Sequence, residues 1–169
     1  MENVMSRFYR PAVTGALFFL LALLVLPPLT GKAQAVPVTT RYYSVDLPAD
    51  WVVVNGPAKV KDAVQVLLGQ KDHKASALII VGPAKAGEAE AAAGANAQRL
   101  GGGKPVLRQG QWEFTFEQQG LKGYSIVRED ASSGVLLMLV VSGDLAMADF
   151  VYKMRGPYKA LMPLKPRLP

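Results

Sequence analysis

The sequence predicts an α+β domain in which helices cover a face of an antiparallel β-sheet. Residues 111–141 form three consecutive apolar or alternating segments that are joined by short polar turns, the pattern of an antiparallel meander. Residues 87–100 and 144–155 instead place their apolar residues at helical spacing. The order along the chain is therefore strands, helix, strands, helix, which is typical of the α+β class.

The first strand of the predicted meander has two different faces, because its side chains alternate with a period of two. We expect the aromatic face to be core beneath a helix, since large apolar side chains are usually buried. The alternative is a pocket on that face for a small apolar ligand. The aromatic face consists of Trp112, Phe114 and Phe116, and the polar face consists of Glu113, Thr115 and Glu117.

The residues before the meander predict four more strands. Residues 36–41 are expected to be a loose lead-in, and residues 43–47 alternate as a strand. A second strand covers residues 51–54 and is expected to stop at Asn55-Gly56-Pro57, a strong break. Residues 64–69 and 76–81 are two apolar runs around a polar connection, which predicts a hairpin.

Both predicted helices end at glycine. The first is rich in alanine, carries Glu88 and Glu90 in its first turn, and ends at Gly101-Gly102-Gly103. The second begins near Asp144 and ends before Gly156-Pro157. Residues 42–157 are thus expected to form the domain, and residues 158–169 a proline-rich basic tail with a disordered end.

The N-terminal residues have the three parts of a secretory signal peptide. Arg7 and Arg10 precede an apolar run over residues 12–26, and Ala33-Gln34-Ala35 offers the small residues that signal peptidase accepts. The run is shorter than the roughly 20 residues of a spanning helix. We therefore expect residues 1–35 to be cleaved after Ala35 and the protein to be exported, most simply to a periplasm. The alternative is an uncleaved N-terminal anchor.

Composition limits the class of partner. The formal net charge of +6 is concentrated at the two ends of the chain, so we expect no nucleic-acid binding. Cysteine is absent, so an exported domain of this sequence relies on its core rather than on disulfides.

One stretch resembles a known family. In residues 43–51 an aromatic strand ends at Pro48, and Trp51 follows at the start of the next strand, as in the PsbP-like and DcrB-like proteins. The later order of strands and helices is similar to that family as well, over residues 42–156. The resemblance implies a curved antiparallel sheet between helices, an αβα sandwich. It also implies a non-catalytic role in binding proteins or assembling complexes, with structural parts for Pro48 and Trp51.

Three motifs suggest chemistry, and each has a simpler interpretation. His73 is the single histidine and lies between lysines in a predicted turn, so we expect a solvated turn residue rather than a base or metal ligand. The acidic and hydroxyl residues of 129–133 lack the oxygen spacing of a calcium loop and predict a hairpin turn. The glycines at 101–103 precede Lys104 and Pro105, which fits a helix stop and not a phosphate loop.

Enzymatic function is not expected, and neither a cofactor nor a metal is predicted. The sequence has no Gly-x-Ser-x-Gly motif and no cysteine nucleophile. Glu113 and Glu117 share one face of a strand and are the carboxylate pair that a hydrolase would need. Outward residues of an exposed sheet face are the simpler interpretation.

We therefore expect a non-catalytic cell-envelope protein that binds a protein partner. The alternatives are a carrier of a small apolar ligand and a hydrolase with an unrecognised site. The basic tail would also offer a peripheral contact to anionic lipid headgroups. The expected partner-binding residues are Glu113, Thr115 and Glu117 on the polar strand face, with Lys165 and Arg167 in the tail.

Overall fold

A computed structural model describes residues 36–166 and shows two antiparallel sheets, one α-helix and two 3₁₀ helices. The two-stranded sheet is a hairpin of β1 and β2, and the remaining strands form a seven-stranded sheet. The bounds of the strands are β1 Val36–Thr39, β2 Ser44–Leu47, β3 Trp51–Val60, β4 Ala63–Gln70, β5 Ala75–Pro83, β6 Val106–Arg108, β7 Gln111–Gln118, β8 Leu121–Asp130 and β9 Val135–Gly143. The helices are α1 Glu88–Leu100, and the 3₁₀ helices η1 Leu145–Lys153 and η2 Lys159–Leu161.

The large sheet consists of two meanders joined side by side. Its strand order is β3-β4-β5-β9-β8-β7-β6, and every pair of neighbours is antiparallel. Neighbours are consecutive in the chain everywhere except at β5 and β9, which pair over their whole length. The hydroxyls of Ser76 and Ser142 form a 2.8 Å hydrogen bond across this junction. The predicted α+β class with an antiparallel sheet is confirmed.

The helix α1 packs over β7 and β8 on one face of the sheet. Ala89, Ala93 and Ala97 are buried there, as their helical spacing predicts, and Asn96 donates a 2.9 Å hydrogen bond to the buried Ser125 hydroxyl. Alanine side chains are short, so the helix backbone lies close to the sheet. The predicted aromatic face of β7 lies under this helix, where Phe114 and Phe116 are buried and Trp112 is half-buried.

The opposite face carries the larger core beneath η1, η2 and the β1–β2 hairpin. Trp51 at the start of β3 meets Phe150 of η1 edge to face, with ring centroids 4.7 Å apart. Tyr43 and Val45 of the hairpin are buried in the same core. Elements on both faces give the sandwich character that the sequence predicted.

Three local predictions differ from the structure. Residues 36–39 are not a loose lead-in, because they pair with β2 as a strand. β3 continues through Gly56 and a cis Gly56–Pro57 peptide to Val60, with two register shifts that absorb the break. The predicted C-terminal helix is 3₁₀ in type, and the side chain of Asp144 caps it by accepting from the Ala146 N–H.

The tail was predicted to have a disordered end, but up to residue 166 the structure shows a segment that is held on the sheet. Leu161 is fully buried in the main core. The Gln111 side chain bonds both backbone groups of Leu164, accepting from its N–H at 3.0 Å and donating to its C=O at 2.9 Å. Arg128 donates to the C=O of Met162 at 3.0 Å. Buried apolar residues and a buried amide therefore hold this segment on the sheet.

The predicted signal peptide over residues 1–35 and the last three residues lie outside the described part of the chain. Of the helices within residues 36–166, none has the length and apolar content that crossing a membrane requires.

Candidate functional site

Two recesses adjoin at Leu145, beside β8 and the start of η1. The smaller has a volume of about 200 Å³ and lies between β8, η1 and residues 165–166. The larger has a volume of about 470 Å³ and lies at the hairpin of β7 and β8. Leu145 lines both recesses, which are together called the Leu145 cleft.

The larger recess is open to solvent and has charged residues at its rim. Glu117 of β7 lies opposite Lys122 of β8 in the strand register, and Thr115 lies two residues before Glu117 on the same face. The ring of Phe116 forms another part of the wall and lies over Gly123, where a Cβ atom would overlap it. The recess therefore offers the carboxylate of Glu117, the ammonium group of Lys122 and the hydroxyl of Thr115 beside the ring of Phe116.

Within residues 36–166, no strand pairs with the outer edge of β7 beside this recess. β6 pairs only with residues 111–113, and β7 continues to Gln118. The C=O of Thr115 accepts from the Gly103 N–H at 3.0 Å, which shows that Thr115 directs its backbone groups outward. Because backbone groups alternate in direction along a strand, those of Glu117 point to the same edge. Because the Thr115 C=O is already bonded to Gly103, the open part of this edge lies at Glu117, where an additional strand can pair.

The smaller recess contains a pair of tyrosines whose hydroxyl groups are hydrogen-bonded to each other. Tyr124 comes from β8 and Tyr152 from η1, and their rings lie at 18° to each other. Burial raises the pKa of Tyr124 to about 12, and burial together with the neighbouring Tyr124 raises the pKa of Tyr152 further still. Both hydroxyls therefore keep their protons at neutral pH.

An ion pair closes the same recess on its outer side. Lys165 Nζ lies 2.5 Å from Asp149 Oδ2, and about half of each side chain or more is exposed. Since the pair is exposed, its net contribution to stability is small, roughly 0–1 kcal/mol. Its effect is on the shape of the recess, because it holds the C-terminal segment against η1.

The structure brings three of the five predicted site residues to this cleft. Thr115 and Glu117 line the larger recess, and Lys165 lines the smaller. Glu113 is half-buried and accepts a 2.5 Å hydrogen bond from Gln111. Its carboxylate is therefore less available to a binding partner than the alternating pattern of β7 predicts. Arg167 lies outside the described residues.

Sequence reasoning missed the other polar members of the cleft, which are Lys122, Tyr124, Asp149 and Tyr152. Tyr124 and Tyr152 are 28 residues apart and belong to patterns that predict core. The one available signal was the spacing of Asp149 and Tyr152, which are three residues apart and share a helix face. That spacing does not show which strand the face covers.

The other candidate motifs have structural roles. His73 is exposed in the turn between β4 and β5 with a positive φ of 61°. Asp130 bonds the hydroxyls of Ser132 and Ser133 at 2.6 and 3.0 Å, which lowers its pKa and shapes the hairpin turn. Gly101 caps α1 in the left-handed conformation, as a helix stop requires.

Glu129 has a role that the sequence did not suggest. Its carboxylate accepts from the backbone N–H groups of Gly87 and Ala89, each at 3.1 Å, and so caps α1 from the neighbouring strand. Within residues 36–166, no group of three or more acidic or histidine side chains is placed to hold a metal ion.

These features define an α+β domain with a polar cleft and an unpaired strand edge beside it. No protein-family model matches the chain. No curated protein sequence matches it either. A solved structure from Bacteroides thetaiotaomicron is similar over 75% of this chain with a TM-score of 0.47 and 11% identity. The aligned part spans 50% of that structure's chain, and a likeness this distant carries no functional argument.

Proposed function

We propose that this chain is an exported, non-catalytic protein of the cell envelope that binds a protein partner, with a domain of the PsbP-like and DcrB-like type. The signal peptide that the sequence predicts over residues 1–35 supports the location. The motif that ends at Trp51 supports the family, since β2 ends at Leu47, Pro48 begins a turn, and Trp51 starts β3.

The unpaired edge of β7 is the observation that carries the binding function. An extended segment of a partner would add to this edge as a strand, with main-chain hydrogen bonds to the outward groups of Glu117. The side chains of Thr115 and Glu117 would then lie beside alternate residues of that segment. Because Glu117 lies next to the recess, a basic residue of the partner would find both a carboxylate and room for its stem.

Three of the four carboxylates that the sequence suggested for calcium binding or catalysis have structural partners. Glu129 caps α1, and Asp130 is bound in its turn. Glu113 is held by Gln111, whereas Glu117 is exposed at the rim of the larger recess. These two carboxylates of one strand are therefore in different environments, which favours binding over a paired acid and base.

A carrier of a small apolar ligand is the second candidate, because Phe116 reaches the larger recess. The rest of the aromatic face is occupied: Ala97 and Leu100 of α1 and Val140 of β9 pack against Phe114 and Phe116. Charged side chains from Glu117 and Lys122 line the recess as well. Protein binding is therefore the stronger proposal.

Site-specific photo-cross-linking in the native envelope tests the proposal. A photoreactive residue at Gln118, the exposed end of β7, should give an adduct of defined mass. The same residue at Gln98, exposed on α1, is the matched control and should not. Glu117→Lys should reduce the adduct at Gln118 by reversing the charge at the edge. Equal adducts at both positions, or an adduct that Glu117→Lys leaves unchanged, would rule out binding at β7.

A further inference from the structure

The smaller recess of the Leu145 cleft has the chemistry of a ligand site that is separate from the β7 edge. It is partly open to solvent and is lined by residues of three elements: β8, η1 and the C-terminal segment. Its polar atoms come from Tyr124, Asp149, Tyr152 and Lys165.

The tyrosine pair retains hydrogen-bonding capacity on both sides. Each neutral hydroxyl has one proton and two lone pairs. The mutual bond of Tyr124 and Tyr152 uses one proton and one lone pair, so the pair still offers a donor and several acceptors. Hydroxyl groups are the ligand groups that match such a pair, because they also donate and accept at one atom.

The ion pair provides further donors and acceptors without net charge. Lys165 has three N–H donors and uses one for Asp149, and the carboxylate retains acceptor positions. A charged ligand would have to separate the pair to use it. A neutral hydroxyl can accept from the ammonium and donate to the carboxylate while the pair stays closed. The recess therefore favours a neutral ligand over an anion, a cation or a zwitterion.

The remaining walls are apolar, and the volume is small. Leu145, Ala146 and Pro166 complete the lining. A volume of about 200 Å³ equals the volume of roughly seven water molecules. Covalently bonded atoms lie closer together than separate waters, so a single-ring compound of about a dozen non-hydrogen atoms fills the same volume. Apolar walls beside several hydrogen-bond donors and acceptors suit a molecule that has C–H groups on its faces and hydroxyl groups at its edges.

We propose that the recess between Tyr124, Tyr152 and the Asp149–Lys165 pair binds one neutral sugar ring. The ring edge contacts the ion pair and the tyrosine hydroxyls, and a C–H face packs on Leu145 and Pro166. This site is independent of the partner strand proposed for β7, since Glu117 and the strand edge take no part in it.

Ligand-observed NMR with the full chain tests this proposal. The neutral probes are D-glucose, D-galactose and N-acetyl-D-glucosamine, and D-glucuronate is the charged comparison. At least one neutral sugar should show saturation transfer and should bind more tightly than glucuronate. Absence of binding by all three neutral sugars, or tighter binding of glucuronate, would overturn the proposal.

Variants then locate the site. Asp149→Asn and Lys165→Gln should each weaken sugar binding by about tenfold, because each removes a charged hydrogen-bonding partner. Lys153→Gln is the matched control on η1 and should have no effect, since Lys153 is exposed and not part of the lining.

Glu117→Lys should leave sugar binding unchanged while it weakens partner binding. Asp149→Asn and Lys165→Gln both retain a polar side chain, and unchanged thermal melting would confirm that these two variants fold. Unchanged affinity in both Asp149→Asn and Lys165→Gln would place the sugar elsewhere and refute the site.

Discussion

Removing the Glu129 carboxylate should loosen the start of α1 and lower the stability of the whole domain. The helix has no side-chain cap of its own, because its N-cap residue is Gly87 with a φ of 84°. Glu129 supplies the missing acceptor from β8 through the N–H groups of Gly87 and Ala89, each at 3.1 Å. The cap thus links two elements that are about 40 residues apart in sequence.

The expected size follows from two contributions. Loss of an N-cap acceptor costs about 0.5–2 kcal/mol of unfolding free energy. Loss of a negative charge at a helix N-terminus costs about 0.3–1 kcal/mol. Glu129 is half-buried, so solvent weakens part of both effects, and we expect Glu129→Ala to cost about 1–2 kcal/mol. Glu129→Gln retains one acceptor oxygen and should cost roughly half as much.

Urea unfolding of the wild type, Glu129→Ala and Glu129→Gln measures these losses in the free energy of unfolding. Glu90→Gln is the matched control, since Glu90 is an exposed acid in the first turn of α1 and should change stability by less than about 0.5 kcal/mol. Amide exchange at Gly87 and Ala89 should accelerate in Glu129→Ala. If Glu129→Ala matches the control in both measurements, the carboxylate does not cap the helix in solution.

Four further substitutions test the core. Trp51→Ala should lower the free energy of unfolding by about 3–5 kcal/mol, measured in urea, because Trp51 is only 4% exposed. Trp112→Ala should lower it clearly less, because Trp112 is half-buried. Equal losses of stability in the two variants would contradict this packing. Gly123→Ala should lower the melting temperature, since the new methyl group overlaps the Phe116 ring, and an unchanged melting curve would count against that contact. Tyr43→Phe should raise stability by about 1 kcal/mol, because the buried Tyr43 hydroxyl has no hydrogen-bond partner among the described residues; a loss in urea unfolding would reveal a partner.

The sequence predicted most of the strands and α1 because their signals are local. The alternation in β7 and the alanine spacing in α1 depend only on near neighbours, and glycines mark the ends of both helices. The prediction failed where a local break is compensated by a distant contact. β3 crosses Gly56 and Pro57 because β4 continues to pair beyond them, which no property of those two residues indicates.

The candidate site was only partly predictable for the same reason. Alternation places Thr115 and Glu117 on one face, and the structure agrees. It also implies that Gln111 begins a solvent-exposed face, yet Gln111 is fully buried because its amide binds the backbone of Leu164. That contact joins residues 53 positions apart and brings Lys165 to the cleft. Pairings over such separations leave no periodic signal in the sequence.

The pairing of β5 with β9 has a consequence for how the chain folds. Each meander closes only short loops, so its hairpins can form on the microsecond scale of local pairing. The junction of β5 and β9 instead joins residues such as Ser76 and Ser142, which are 66 positions apart. The chain entropy that is lost on closing this long loop opposes the docking of the two meanders. We expect docking of the two meanders to limit the folding rate. A chain divided between Ala86 and Gly87 would then give two fragments whose reassociation reports directly on that junction.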